Sequence, residues 1–232
     1  MSLVIAFQAK DGIVLAADSR GTTGPPGGLQ AISDVYKKIY RLSSHCGIGI
    51  ARSSELGSAL LDRMGEKVAA ESCRYMDDVL AFVRNQLREQ FNDWFSRIPL
   101  KERPGVLLLV AGYRRLKRKR LHPMIYLLPS QQDFAPLLMA KGRGMIGVPQ
   151  YAIYLANRYF VPNMSKDNVA ALSEFLIYET ATQDPKVGGP INIAVITPKQ
   201  GYQEFSEEAV SALRKANRQK SQRLRTWFFR GR

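Results

Sequence analysis

The chain has 232 residues, 45% of them hydrophobic, with two cysteines, two histidines and a formal net charge of +14 at pH 7. That length and apolar content suit one large domain or two small ones with a full core. Cys46 and Cys73 form no CxxC pair, which excludes a disulfide scaffold and points to a reducing, cytoplasmic compartment. His45 and His122 are too few for a multi-histidine metal centre and give no support to a Ser-His-Asp triad, so no metal or other cofactor is expected and any catalysis needs another base.

The first apolar run, Leu3 to Ala9, is too short for a signal-peptide core with its flanks or for a membrane span, and it reads as a buried strand. Asp11-Gly12 then predicts a two-residue type I′ turn, with Asp18 ending the second strand. An ordinary N-terminal hairpin would have this pattern too. GTTGPPGGLQAISD reads as a loop, VYKKIYRL as a strand and GIGIA, residues 47–51, as its partner. Two helices follow, from Ser53 to about Glu71 and from Met76 to Trp94, the second marked by Val79, Val83, Leu87 and Phe91 near helical spacing. LLLVAGY and PMIYLLP are strands flanking a basic hairpin tip, and PLLMAKG continues the sheet. Helices are predicted over Gln150 to Tyr159 and Lys166 to Thr182, with Ser165 as N-cap. INIAVIT and GYQEF are the last strands, before a helix opening on Ser206-Glu207-Glu208.

The positive charge is concentrated. Arg114–His122 holds six Lys or Arg and no acid, Arg214–Arg232 holds eight and no acid, and the rest of the chain is neutral. Such runs are solvated loops and tails, contacts for an acidic protein, or nucleic-acid contacts; no zinc finger, RRM or helix-turn-helix accompanies them, so nucleic acid is not expected. The division is a domain over residues 1–213 and a flexible basic, aromatic tail over 214–232. Trp227, Phe228 and Phe229 make that tail either a contact within an assembly, a contact for an acidic partner or a disordered end.

Strands and helices come in pairs rather than alternating, which predicts an α+β fold of two antiparallel sheets with helix pairs on their outer faces. KDGIVLAADSRGTT, YKKIYRL, GIGIA and QDPKVGGPINIAVITPKQGY, in this order and spacing, resemble the proteasome β-type subunits, a family of N-terminal nucleophile hydrolases. The resemblance runs from Ser2 to about Phe205 and implies a four-layer αββα sandwich.

It also implies a site. After loss of Met1, Ser2 would supply the hydroxyl nucleophile and, through its α-amine, the general base. Asp18 matches the family's acid and Lys38 its buried lysine; Asp184 matches an acid that positions the terminus, although a helix-end turn residue before Pro185 would look the same. The backbone N–H of Arg52 is the implied oxyanion donor, and the backbone near Thr22 and Ser54 would pair with an extended peptide. Serine replaces the usual threonine, Arg52 the usual glycine, and Ile146 and Val187 stand where active β subunits carry supporting serines. Implied partners are a peptide or unfolded protein substrate, further copies in stacked rings and a separate ATPase or unfoldase, since the chain has no P-loop; no membrane partner is expected. The alternative is a catalytically silent ring subunit.

Overall fold

The computed structural model describes residues 2–23, 31–53, 56–61, 64, 73–117 and 120–229. Strands β1 (Leu3–Gln8), β2 (Ile13–Ala17), β3 (Gly21–Thr23), β4 (Ala31–Ser33), β5 (Ile39–Ser43) and β6 (Cys46–Arg52) come first. Helix α1 (Met76–Trp94) is followed by β7 (Val106–Arg115), β8 (Leu121–Pro129), β9 (Leu137–Leu138) and β10 (Arg143–Gly147). Helices α2 (Gln150–Tyr159) and α3 (Lys166–Gln183), strands β11 (Asn192–Thr197) and β12 (Gly201–Glu204), and helix α4 (Glu207–Phe229) complete the chain. One antiparallel sheet has the order β10-β1-β2-β11-β12 and the other β5-β6-β7-β8-β9; β3 and β4 form a separate ribbon.

The four layers follow from how alternate residues are shared between cores. Leu3, Ile5 and Phe7 of β1 join Val14 and Ala16 of β2 beneath Ala152, Ala156, Val169, Leu176 and Ile177 of α2 and α3. Their neighbours Val4, Ala6, Ile13 and Leu15 turn to the opposite side and meet Leu109, Ala111 and Tyr113 of β7, which closes the space between the sheets. Ile48, Ile50, Leu108 and Val110 face outward from the second sheet onto Val79, Val83, Leu87 and Phe91 of α1. A strand with apolar matter on both faces has no polar side to alternate with, which is why LVIAF is a continuous apolar run. Each such Leu, Ile or Phe contributes about 1.5–3 kcal/mol by burial. The sheets approach closely where β6 carries glycine: a Cβ on Gly49 would lie 2.3 Å from Val4 Cγ1.

The αββα sandwich is therefore observed, and α1, α2 and α3 lie where the sequence predicts helices. The helix expected from Ser53 is seen as helical residues 56–61 and 64, and its remainder to Glu71 lies outside the described residues. The basic run is the tip of the β7–β8 hairpin, where Leu116 N donates to Arg120 O at 2.7 Å.

Three expectations are corrected, and one strand is added. The first turn is not type I′: it centres on Lys10-Asp11, closed by Ala9 N to Gly12 O at 2.8 Å, and neither Asp11 nor Gly12 has positive φ. Tertiary contacts override the local signal, because Lys10 N donates to Met164 O and Asp11 Oδ1 accepts from Lys166 N at 2.7 Å. The Gly- and Pro-rich segment is not wholly a loop, since its ends pair as β3 and β4. RGMIG, residues 143–147, is a strand against β1 that its two glycines hide in the sequence. The segment after residue 215 is not irregular but the continuation of α4 to Phe229.

Candidate active site

The site sits where β1 begins and β2 ends. Asp18 follows the last residue of β2 and is fully buried, and its carboxylate accepts four hydrogen bonds. Oδ1 receives the Leu3 N–H at 2.9 Å and Lys38 Nζ at 2.8 Å; Oδ2 receives the Arg20 N–H at 3.2 Å and the Gly188 N–H at 3.0 Å. Three of the four donors, on residues 3, 38 and 188, come from segments remote from Asp18 in the chain, so Asp18 ties these segments together. A buried carboxylate without such partners would cost several kcal/mol.

Lys38 is likewise fully buried. Its Nζ bonds Asp18 Oδ1 and donates to the Arg20 carbonyl at 2.5 Å, while its own carbonyl accepts the Ile50 N–H at 2.9 Å, fixing it against β6. Burial pushes the Lys38 ammonium below the usual lysine range, and the Asp18 carboxylate opposes that shift. Ser2 is buried too. One oxygen of Asp18 thus separates Lys38 Nζ from the amide that joins Ser2 to Leu3. On its other flank the Ser2 carbonyl accepts the Val148 N–H at 2.8 Å.

Gly147 makes that close approach possible. Its φ is +97°, and a Cβ there would lie 1.7 Å from Ser2 O and 3.3 Å from Ala51 Cβ. Only glycine fits. The same position brings Ala51 of β6, the residue before Arg52, close to this flank. Arg52 holds φ +75°, a conformation that disfavours any residue with a Cβ, and its exposed side chain bends toward Gly105 and Gln131. Thr22 lies in the β3–β4 ribbon opposite Ile32 and is half-buried. Ser54 lies outside the described residues.

Asp184 is the C-cap residue of α3 and is half-buried; its Oδ1 accepts the Lys186 N–H at 2.8 Å and its carbonyl the Val187 N–H at 3.1 Å. The turn so formed presents the Gly188 N–H to Asp18. Asp184 therefore reaches the buried pair through the backbone of its own turn.

The family model described as proteasome subunit matches residues 2–196. The chain belongs to the proteasome subunit family. No curated protein matches it. Among the described residues no helix is long and apolar enough to cross a membrane, and no cluster of His, Cys, Asp or Glu could hold a metal ion.

Within this proteasome-family fold, Ile146 and Val187 are buried apolar residues: Ile146 pairs with Val4 and packs between the sheets, and Val187 lies in the core beneath α3. Neither offers a hydroxyl. Sequence reasoning missed Arg20, Asp34 and Gly188. The Arg20 guanidinium binds Asp34 through Nε and Nη2, each at 2.8 Å, and donates from Nη1 to Pro185 O at 3.1 Å. Its backbone serves both members of the buried ion pair, the N–H on Asp18 and the carbonyl on Lys38. Asp34 holds Arg20 above, and Arg20 holds Asp34 below, its ordinary titration range. The signal available was the position of Arg20 two residues after Asp18; its partner 14 residues on has no local signature.

Proposed function

We propose that the protein is an N-terminal nucleophile peptidase whose machinery is Ser2, Asp18 and Lys38. The observation that carries this reading is the single oxygen, Asp18 Oδ1, that accepts both Lys38 Nζ and the Leu3 N–H. After removal of Met1, the Ser2 α-amine would have a reference pKa of about 7.7–8.0 and be partly neutral near pH 7, as a general base requires. A charged Lys38 nearby disfavours the protonated amine, and Asp18 keeps that ammonium in place.

Ser2 Oγ attacks the peptide carbonyl as its proton passes to the amine, and the carbonyl π pair moves onto oxygen, which accepts a hydrogen bond from the Arg52 N–H. Collapse of this oxyanion breaks the C–N bond, and the amine returns the proton to the leaving nitrogen. Water, deprotonated by the same amine, then releases the acyl group from Ser2. Asp184 acts as a positioning residue through the turn that carries Gly188. Substrate, an extended peptide of an unfolded protein, pairs with the backbone near Thr22 and Ser54.

We assign this chemistry to residues 1–213, with 214–232 as an appended segment, in a cytoplasmic protein assembled as stacked rings and fed by a separate ATPase. Buried Ile146 and Val187 favour a second reading, a silent subunit that keeps the fold for assembly. Treatment with a β-lactone or epoxyketone, followed by intact mass and N-terminal sequencing, separates the two. The expected result is one adduct on a chain starting at Ser2 and none on Ser2→Ala. An unmodified chain that starts at Ser2 establishes the silent subunit.

A further inference from the structure

We propose that the end of α4 is an anchor for an anionic lipid surface. Among the described residues, the side-chain hydrogen bonds that fasten helix α4 to the body come from its first half. Asn217 Nδ2 donates to Glu174 Oε2 at 2.7 Å and to Ala171 O at 2.8 Å, and Arg214 Nε to Glu174 Oε1 at 3.2 Å. Further along, Leu224 lies in a groove with Tyr159 and Met164. The helix therefore runs antiparallel to α3, and Leu224 already lies level with residues that precede the first residue of α3. Five residues remain to Phe229, a rise of about 7.5 Å.

Those residues end in Trp227-Phe228-Phe229, which are 70%, 66% and 69% exposed. Adjacent helical positions point about 100° apart, so the three rings span roughly 200° of the helix circumference. A groove on a protein receives one face of a helix. Rings pointing around more than half of it are too widely spread for one such groove, whereas a helix lying in a bilayer interface sinks its apolar part by about 5–10 Å while neighbouring arginines, Arg230 and Arg232 in the sequence included, reach back to the headgroups. Phenylalanine and tryptophan suit that depth, the indole N–H remaining among polar headgroups.

The charge selects the kind of surface. From Ala209 to Phe229 the helix carries Arg214, Lys215, Arg218, Lys220, Arg223 and Arg225 and no acid. Pairing with the same segment of a second copy would oppose like charges, whereas phosphate-bearing headgroups complement them. Arg223 and Arg225 stand just behind the aromatic tip and can extend to phosphates while the rings insert. The expectation of no membrane partner rests on the lack of a spanning segment, and surface contact needs none. The inference is independent of peptidase activity.

The test is co-sedimentation of the full-length protein with vesicles of phosphatidylcholine alone and of phosphatidylcholine mixed with phosphatidylserine. Binding is expected on the mixed vesicles, on the order of 10-fold above the neutral ones, and lost as salt rises. Trp227→Ala/Phe228→Ala/Phe229→Ala is expected to abolish it. These side chains belong to none of the three cores, so circular dichroism is expected to show an unchanged fold. Arg223→Gln/Arg225→Gln is expected to weaken binding without abolishing it. Absence of vesicle binding, equal binding to neutral vesicles, or undiminished binding by the aromatic-free variant overturns the proposal. Capture of both proteins by poly-glutamate with no vesicle binding assigns the segment to an acidic protein instead and also overturns it.

Discussion

Asp18 and Asp184 both stand at the end of a regular element, and each follows its strand or helix into a turn, yet the structure uses them differently. Asp18 is buried and gathers donors from residues 3, 20, 38 and 188. Asp184 is half-buried, and its carboxylate serves a backbone N–H two residues away. One acid organises long-range structure and carries a charge-charge contact; the other shapes a local turn and acts at one remove. The difference is the convergence of partners from distant segments, not the residue type.

This contrast can be broken at its strong end first. Asp18→Ala leaves Lys38 buried without its counter-charge and is expected to cost about 3–5 kcal/mol in urea denaturation, together with all turnover of peptide substrates. If Asp18→Ala unfolds at the wild-type midpoint, the two acids are equivalent and the contrast fails. Gly188→Ala tests the link between them. Its Cβ would lie 2.5 Å from Arg20 Cζ and displace a guanidinium held by Asp34 and Pro185. We expect about 1–3 kcal/mol of destabilisation and, as the Gly188 N–H leaves Asp18, up to about 100-fold lower turnover with the Lys38 and Asp18 residues intact.

Arg20 and Asp34 give a smaller, pH-dependent effect. Their pair is partly exposed, with side-chain exposures of 23% and 38%, so breaking it by Asp34→Asn is expected to cost about 1 kcal/mol or less. Hydrogen bonding to Arg20 lowers the Asp34 pKa from 3.8, so the unfolded chain binds the proton more tightly. The contribution is complete above pH 3.8 and disappears as pH falls through the lower folded value. Denaturation midpoints of wild type and Asp34→Asn are therefore expected to differ at pH 6 and converge on strong acidification, as far as the fold survives it. Asp184→Ala closes the series. Loss of one half-buried capping bond is expected to cost about 0.5–1.5 kcal/mol, with turnover reduced less than by Gly188→Ala. A larger loss than for Gly188→Ala would mean that Asp184 touches the reacting groups directly.

Much of this architecture is legible in the chain. The apolar stripe Val79, Val83, Leu87, Phe91 specifies α1, and the continuous run Leu3 to Phe7 announces a strand covered on both faces. Ser165 does cap α3, accepting the Asn168 N–H at 3.3 Å. The pairing of Lys38 with Asp18 is legible only through family resemblance, because a KK dipeptide alone does not tell which lysine is inside; Lys37 is half-exposed and bonds Glu204 instead. What stays hidden depends on contacts between remote segments. β10 is too rich in glycine to be recognised until β1 lies beside it, and the first turn takes its form from α3 rather than from Asp11-Gly12. Arg52 keeps a conformation suited to glycine, which no local preference would suggest.

The central place of the first strand has a kinetic consequence. β1 lies between β2 and β10 and β2 between β1 and β11, through pairs such as Leu3 with Gly147 and Ala17 with Asn192. Closing such long loops precedes any reward from the contacts, so folding of this sheet is slow relative to a helical protein of equal size. During synthesis β1 gains its second neighbour only when β10 has been made, and β2 only when β11 has, so until then their apolar edges need protection from other chains.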